Sequence, residues 1–187
     1  RSRQGSQAGP PARFGVLDLE TQRSAQDVGG WSRADRMGLS CAVLFDSAQE
    51  QYFDYLEDDM DALLDHLQQL DLVVGFNISR FDYAVLRGYT DFPLHSLPTL
   101  DMLQRIHSRL GYRLSLDHLA SATLGVKKSG NGLLALRWWA QGNMDKLVAY
   151  CRKDVALTRD LYLFGRDNGH LLFRNKARAL VQVQVDW

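Results

Sequence analysis

The apolar positions of this chain change period along its length, and the changes mark out its elements. Phe14 to Leu19 is an apolar run with strand character. Gln22 to Arg36 has no clear period and carries Gly29-Gly30 ahead of Trp31, which predicts a loop. Leu39 to Phe45 and Gln51 to Tyr55 predict two strands joined by a short turn, giving an antiparallel meander with the first. From Asp58-Asp59 the spacing turns helical, with Met60, Leu63, Leu64 and Leu67 on one face. Leu72 to Phe76 is a continuous apolar run, typical of a parallel strand covered on both faces. Ser79 to Arg87 predicts a helix and Pro98 to Asp101 a short strand. Helices then follow over Met102 to Leu110, Ser115 to Leu124, Leu133 to Ala140 and Asn143 to about Phe164. Alternation in Val181-Gln182-Val183-Gln184-Val185 predicts a terminal hairpin within His170 to Trp187. Meander first, alternating helix and strand next, helices last: the sum is an α/β layered domain with a mixed sheet.

The totals narrow the class. A chain of 187 residues suits one domain with a substantial core. Residues 1–13 hold Arg, Gln, Ser, Gly and Pro and no acid, so a disordered tail or linker is expected there, with a single domain over 14–187. No apolar run approaches the roughly 20 residues of a membrane span, and the N-terminus lacks a signal pattern. The expectation is a cytoplasmic protein that does not enter membranes, with Cys41 and Cys151 as unpaired thiols. The 22 basic and 22 acidic side chains cancel, which is unusual for a nucleic-acid binder. The signs are separated, however. Acids cluster from Asp54 to Asp65, and basic residues gather at Arg105 to Arg113, at Lys127-Lys128 and at Arg152 to Arg159. A local basic track on a neutral protein is compatible with that distribution.

The candidate chemistry begins at the end of the first strand, in Gly15-Val16-Leu17-Asp18-Leu19-Glu20-Thr21. Side chains i and i+2 share a strand face, so Asp18 and Glu20 stand side by side. Adjacent anions raise each other's pKa unless a cation joins them, and a divalent metal held through oxygen answers that repulsion; a solvated strand end is the plainer reading. Asp82 falls in the first turns of the helix after the buried strand, where it also suits the helix dipole. Tyr150 and Asp154 are four apart on the long helix, on a face that Leu147, Leu157 and Leu161 turn inward. An inward Asp needs a metal or a pairing with Arg152, Lys153 or Arg159. Asp18, Glu20, Asp82 and Asp154 together make four carboxylates from three elements, a set suited to two hard cations, Mg²⁺ or Mn²⁺. Tyr150, one turn from Asp154, can then orient or deprotonate an attacking water.

Asp-x-Glu, Asn-x-x-x-Phe-Asp and Tyr-x-x-x-Asp, in that order, resemble the three motifs of DEDD-superfamily 3′–5′ exonucleases, which have a ribonuclease H-like fold. Tyrosine four residues before the last Asp marks the DEDDy branch; the histidine branch would need His at the position of Ala149. Gly75 to Asp82 is similar to the proofreading exonuclease of family B DNA polymerases, and Ser115 to Ala120 resembles the connecting helix of these enzymes. Val28-Gly29-Gly30-Trp31 and Val185-Asp186-Trp187 are similar to nuclease-like modules found with bacterial helicases. The resemblance spans about Phe14 to Phe164. It implies a ribonuclease H-like mixed sheet flanked by helices and two ions held by Asp18, Glu20, Asp82 and Asp154, with Asp18 shared. It also implies a water positioned by Tyr150, a terminal nucleotide beside Thr21, and Asn77 and Phe81 facing the substrate. Single-stranded DNA or RNA 3′ ends are the implied partners, with a helicase or larger repair polypeptide as the protein context.

Remaining residues carry plainer readings. Lys127-Lys128 sits in a Gly-rich loop that either touches backbone phosphates or is a solvated turn. Trp31 and Phe81 either stack on a base or pack, and Trp138-Trp139 reads as packing. His95, His107, His118 and His170 lack zinc spacing. Two other functions fit the same pattern: a non-catalytic nucleic-acid-binding or interaction module, and an endonuclease using the same metals.

Overall fold

The computed structural model describes residues 13–126 and 132–187; Lys127, Lys128 and residues 1–12 of the expected tail lie outside the described residues. Five strands form one sheet: β1 (Phe14–Thr21), β2 (Leu39–Asp46), β3 (Gln51–Tyr55), β4 (Leu72–Gly75) and β5 (Thr99–Asp101), in spatial order β3-β2-β1-β4-β5. The first three pair antiparallel as the expected meander, while β4 runs parallel to β1 and β5 parallel to β4. This is the mixed, ribonuclease H-like α/β sheet the sequence predicts.

Among the described residues, seven α-helices surround it: α1 (Ala25–Val28), α2 (Met60–Gln68), α3 (Asp82–Leu86), α4 (Met102–Leu110), α5 (Leu116–Leu124), α6 (Gly132–Ala140) and α7 (Met144–Asn168). A hairpin of β6 (His170–Arg174) and β7 (Leu180–Gln184) closes the chain, as the terminal alternation predicts. Alternate residues of β1 feed two cores. Val16 packs with Cys41, Val43 and Phe45 of β2 beneath α4, α5 and α7. Leu17 and Leu19 pack on the other face, with Ala42, Leu44 and the apolar stripe of α2. Period-2 alternation therefore puts Asp18 and Glu20 on the face that α7 covers. Leu147, Val155 and Leu161 bury completely and hold α7 there, each contributing about 2 kcal/mol of apolar burial.

Three boundaries differ from the sequence expectation. The segment Gln22 to Arg36 contains α1 and a 3₁₀ stretch, Trp31–Arg36. Ser24 and Asp27 form a reciprocal capping box, and Gly29 ends α1 at φ +88°. The helix expected from Ser79 starts only at Asp82, because Asn77 takes a left-handed φ of +70° and residues 78–81 form a tight turn. Arg13 belongs to the fold: its guanidinium bonds the buried carboxylate of Asp46, and its carbonyl accepts from Asp71 and Leu72.

Asp46 lies at the end of β2 farthest from the acidic pair, opposite Gly15. It also accepts from Ala48 N–H and Gln49 and bonds His66 Nε2 at 2.9 Å, while Tyr55 Oη lies 2.6 Å from His66 Nδ1. Burial pushes the Asp46 carboxyl up, but the bonds from Arg13 and His66, with those from Ala48 and Gln49, overcome it and hold the group far below the ordinary carboxylate value.

Candidate metal centre

Glu20 is the penultimate residue of β1, beside a register shift at Glu20/Thr21, and its strand partner is Cys41 of β2. The long helix α7 crosses this end of the sheet and lowers Asp154 onto it. One carboxylate oxygen each from Asp18, Glu20 and Asp154 lies within 4.8 Å of the others. Asp82, at the first position of α3, is buried beside them, and its charge acts on both Asp18 and Glu20. Its Oδ1 is a buried acceptor without a hydrogen-bond partner.

Burial and mutual repulsion dominate the electrostatics of Asp18, Glu20 and Asp82. Asp18 is raised well above the ordinary range by burial first and then by the charges of Asp82, Glu20 and Asp154, against a small opposing effect of the Cys151 thiol. Glu20 is raised by burial, then by Cys41, Asp154 and Asp82. Burial, with Asp101 nearby, pushes Asp82 up to about 8, against hydrogen bonds from its own and Leu19's backbone. Three clustered oxygens and a buried acceptor without a partner fit a hard divalent cation, whose preferred ligands are carboxylate oxygens.

Tyr150 stands one turn before Asp154 and hydrogen-bonds it; burial and the charges of Asp154, Glu20 and Asp18 drive the phenol well above its ordinary value. The phenol therefore keeps its proton, which it donates to Asp154. The Trp138 ring of α6 meets Tyr150 edge-on at 5.8 Å and backs it. The arginines expected as alternative partners of Asp154 are engaged elsewhere: Arg152 forks onto Asp54 at 2.6 and 2.7 Å, and Arg159 bonds Asp160 and Tyr52.

The other predicted residues take separate places. Thr21 is buried, and its hydroxyl donates to the Arg23 carbonyl at 2.9 Å, inside the chain exit from β1. Asn77 sits at the β4–α3 turn, its Oδ1 accepting from Arg113 at 2.9 Å. Phe81 precedes α3 at the rim and meets Trp31 edge-on at 5.9 Å; Trp31 is 72% exposed.

Two contributors escape sequence reasoning. Cys151, on α7, directs its Sγ–H to the Asp18 carbonyl at 3.3 Å and to Asp18 Oδ2 at 3.6 Å, with the Cys41 thiol beside it. The two cysteines lie together beneath the acids although they are far apart in sequence. Asp101, at the end of β5, accepts from the backbone N–H groups of Asn77 (3.0 Å), Ser79 (3.1 Å) and Gln104 (3.2 Å), so it both caps α4 and fixes the turn leading to Asp82. The local signal for Asp101, an acid just before a helical run, marks only the cap. Nothing local marks the cysteine pair.

Comparison with known proteins agrees with this architecture. A search of curated protein sequences finds no match. Among solved structures, a family B DNA polymerase from the hyperthermophilic archaeon Pyrobaculum calidifontis is similar, with a TM-score of 0.63 and 18% identity over 83% of this chain. The match spans 25% of the polymerase, and at this identity it bears on the fold alone. A family model described as RNase_H superfamily matches residues 17–163, most of the described fold with all four acids inside it. The chain belongs to the RNase_H superfamily.

Proposed function

We propose that the protein is a divalent-metal-dependent 3′–5′ exonuclease that hydrolyses phosphodiester bonds at single-stranded or frayed nucleic-acid ends. The observation that carries this reading is the convergence of Asp18, Glu20 and Asp154 to within 4.8 Å, with Asp82 alongside. Such a cluster opposes a polyanionic substrate unless cations occupy it, so a binding-only domain gains nothing from keeping it. When bound, two hard cations such as Mg²⁺ or Mn²⁺ supply charge stabilisation to the phosphoryl oxygens and a readily deprotonated water.

The chain's own residues do the rest. Asp18, Glu20, Asp82 and Asp154 hold the ions, and Cys151, bonded to Asp18, fixes that carboxylate. Tyr150 donates toward the reacting centre and is steered there by Asp154 and Trp138. Exposed Trp31 with Phe81 offers an aromatic edge for a terminal base. The sequence resemblance to proofreading exonucleases supports 3′–5′ polarity.

Product lengths from a 5′-labelled oligonucleotide incubated with Mn²⁺ test the reading. Ladders shortening from the 3′ end are expected, with at least a hundredfold loss in Asp18→Ala and Asp154→Ala, the order seen when a main source of transition-state stabilisation is removed. Internal fragments would instead identify an endonuclease. An intact strand with the wild-type protein would leave a non-catalytic module.

A further inference from the structure

Beyond the acids, the carboxyl edge of the sheet carries a second feature. A partly open cleft of about 200 Å³ lies at the ends of β4 and β5, lined by Asn77, Arg80, Asp101, Gln104, His107 and Arg113 among others. Two guanidiniums reach it. Arg113 makes a hydrogen bond to the neutral Asn77 Oδ1, and neither Arg113 nor Arg80 takes part in an ion pair among the described residues. Arg13, Arg109, Arg152, Arg159 and Arg166 each pair with Asp, so the two cleft arginines are among those whose charge is left for solvent or a ligand. The one acid in the cleft, Asp101, is committed to three backbone N–H groups of the turn and of α4. Beside that acid, the cleft keeps two guanidiniums that form no ion pair among the described residues.

Position gives the cleft its meaning. β5 stands two strands from β1, about 10 Å along the edge at normal strand spacing. Asn77 links the two places, since it lies in the turn that leads into Asp82. A strand whose end lies at the acids presents further phosphates along this edge, where no acid-bound metal can neutralise them. Arginine forks match phosphate oxygens in geometry as well as charge.

We propose that Arg80 and Arg113 form a phosphate-binding subsite, which grips the backbone of the nucleic-acid strand upstream of the scissile bond. This rests on the nuclease reading of the acidic centre and adds to it the cleft that holds the strand in register. His107 lines the same cleft and completes its basic side.

The test is binding, read without turnover, using fluorescence polarisation of labelled single-stranded oligonucleotides in Ca²⁺. Arg80→Gln and Arg113→Gln are each expected to weaken binding about tenfold, the scale of a charge-assisted contact. The double variant should also lower the slope of log affinity against log salt by about 1.4, from two lost phosphate contacts on a single strand. The Arg80 side chain does not bond the Asn77 side chain (the two residues share only a backbone bond, Arg80 N–H to the Asn77 carbonyl at 3.2 Å), so its variant separates loss of a phosphate contact from displacement of that side chain. Oligonucleotides with one neutral methylphosphonate linkage, moved stepwise from the 3′ end, locate the contact. Wild type should lose affinity at one upstream linkage where the double variant is indifferent. Wild-type affinity and salt slope in the double variant would overturn the subsite while leaving the acidic centre untouched. A wild-type protein that cleaves no strand in Mn²⁺ and binds none in Ca²⁺ would overturn the nuclease reading, and the subsite with it. Melting temperatures equal to wild type confirm that these exposed substitutions leave the fold intact.

Discussion

At the scale of the residue, two buried carboxylates sit at opposite ends of the sheet and have opposite electrostatics. Asp82 is pushed up to about 8, so between about pH 4 and pH 8 the folded chain holds a proton that the unfolded chain has released. Stability must then fall as pH rises through that window, and Asp18 and Glu20, also raised, act in the same direction. Thermal melts in chelator from pH 5 to pH 8 should decline, and Asp82→Asn should flatten part of the decline; a rising curve would contradict the clustering. Asp46 behaves inversely: its low pKa stabilises the fold above the ordinary carboxylate range, and that contribution is lost on acidification. Asp46→Asn removes the charge, and one of the two acceptor oxygens, that Arg13 and His66 share, and should cost about 3 kcal/mol in denaturant unfolding. It should leave metal-induced stabilisation unchanged, because five residues of β2, about 17 Å, separate it from Cys41 and the acids.

At the scale of the element, the turn between β4 and α3 decides where Asp82 stands. Asn77 turns left-handed, Asp101 holds the N–H groups of Asn77 and Ser79, and the chain folds back so that Ile78 lies on Gly75. A Cβ on Gly75 would meet Ile78 Cβ at 2.6 Å, so the turn requires glycine for the close approach rather than for its φ. Gly75→Ala should destabilise by about 2 kcal/mol and weaken Mn²⁺ binding as Asp82 is displaced. An unchanged metal affinity would show that the turn does not set the position of Asp82. This turn also explains where sequence reading stopped. Strand periods and the three spaced motifs depend on local pattern, so β1 to β5, α7 and the four acids were legible from it. The late start of α3 was not, because it depends on Asp101, which arrives from a separate strand 24 residues away. The juxtaposition of Cys41 and Cys151 was hidden for the same reason, since only the packing of α7 on β2 creates it. Ser24 and Asp27 did carry a readable capping signal inside the expected loop.

At the scale of the whole molecule, the sheet separates stability from chemistry. Its two apolar faces and the Arg13–Asp46–His66 network hold the strands, while the carboxyl edge gathers acids that raise one another's pKa. No helix among the described residues is long and apolar enough to cross a membrane. Zero net charge, which argues against a general affinity for nucleic acid, is consistent with binding confined to one edge that carries its own cations. The acids at that edge destabilise the metal-free fold, and a bound divalent ion should return about 2.7 kcal/mol at a hundredfold excess over its Kd. Calorimetric titration of Mn²⁺ into the metal-free protein tests this most directly. The account predicts binding that releases protons, strengthens from pH 6 to pH 8 and is lost in Asp18→Ala. Binding that is absent from the wild type, or equal in wild type and Asp18→Ala, would contradict it.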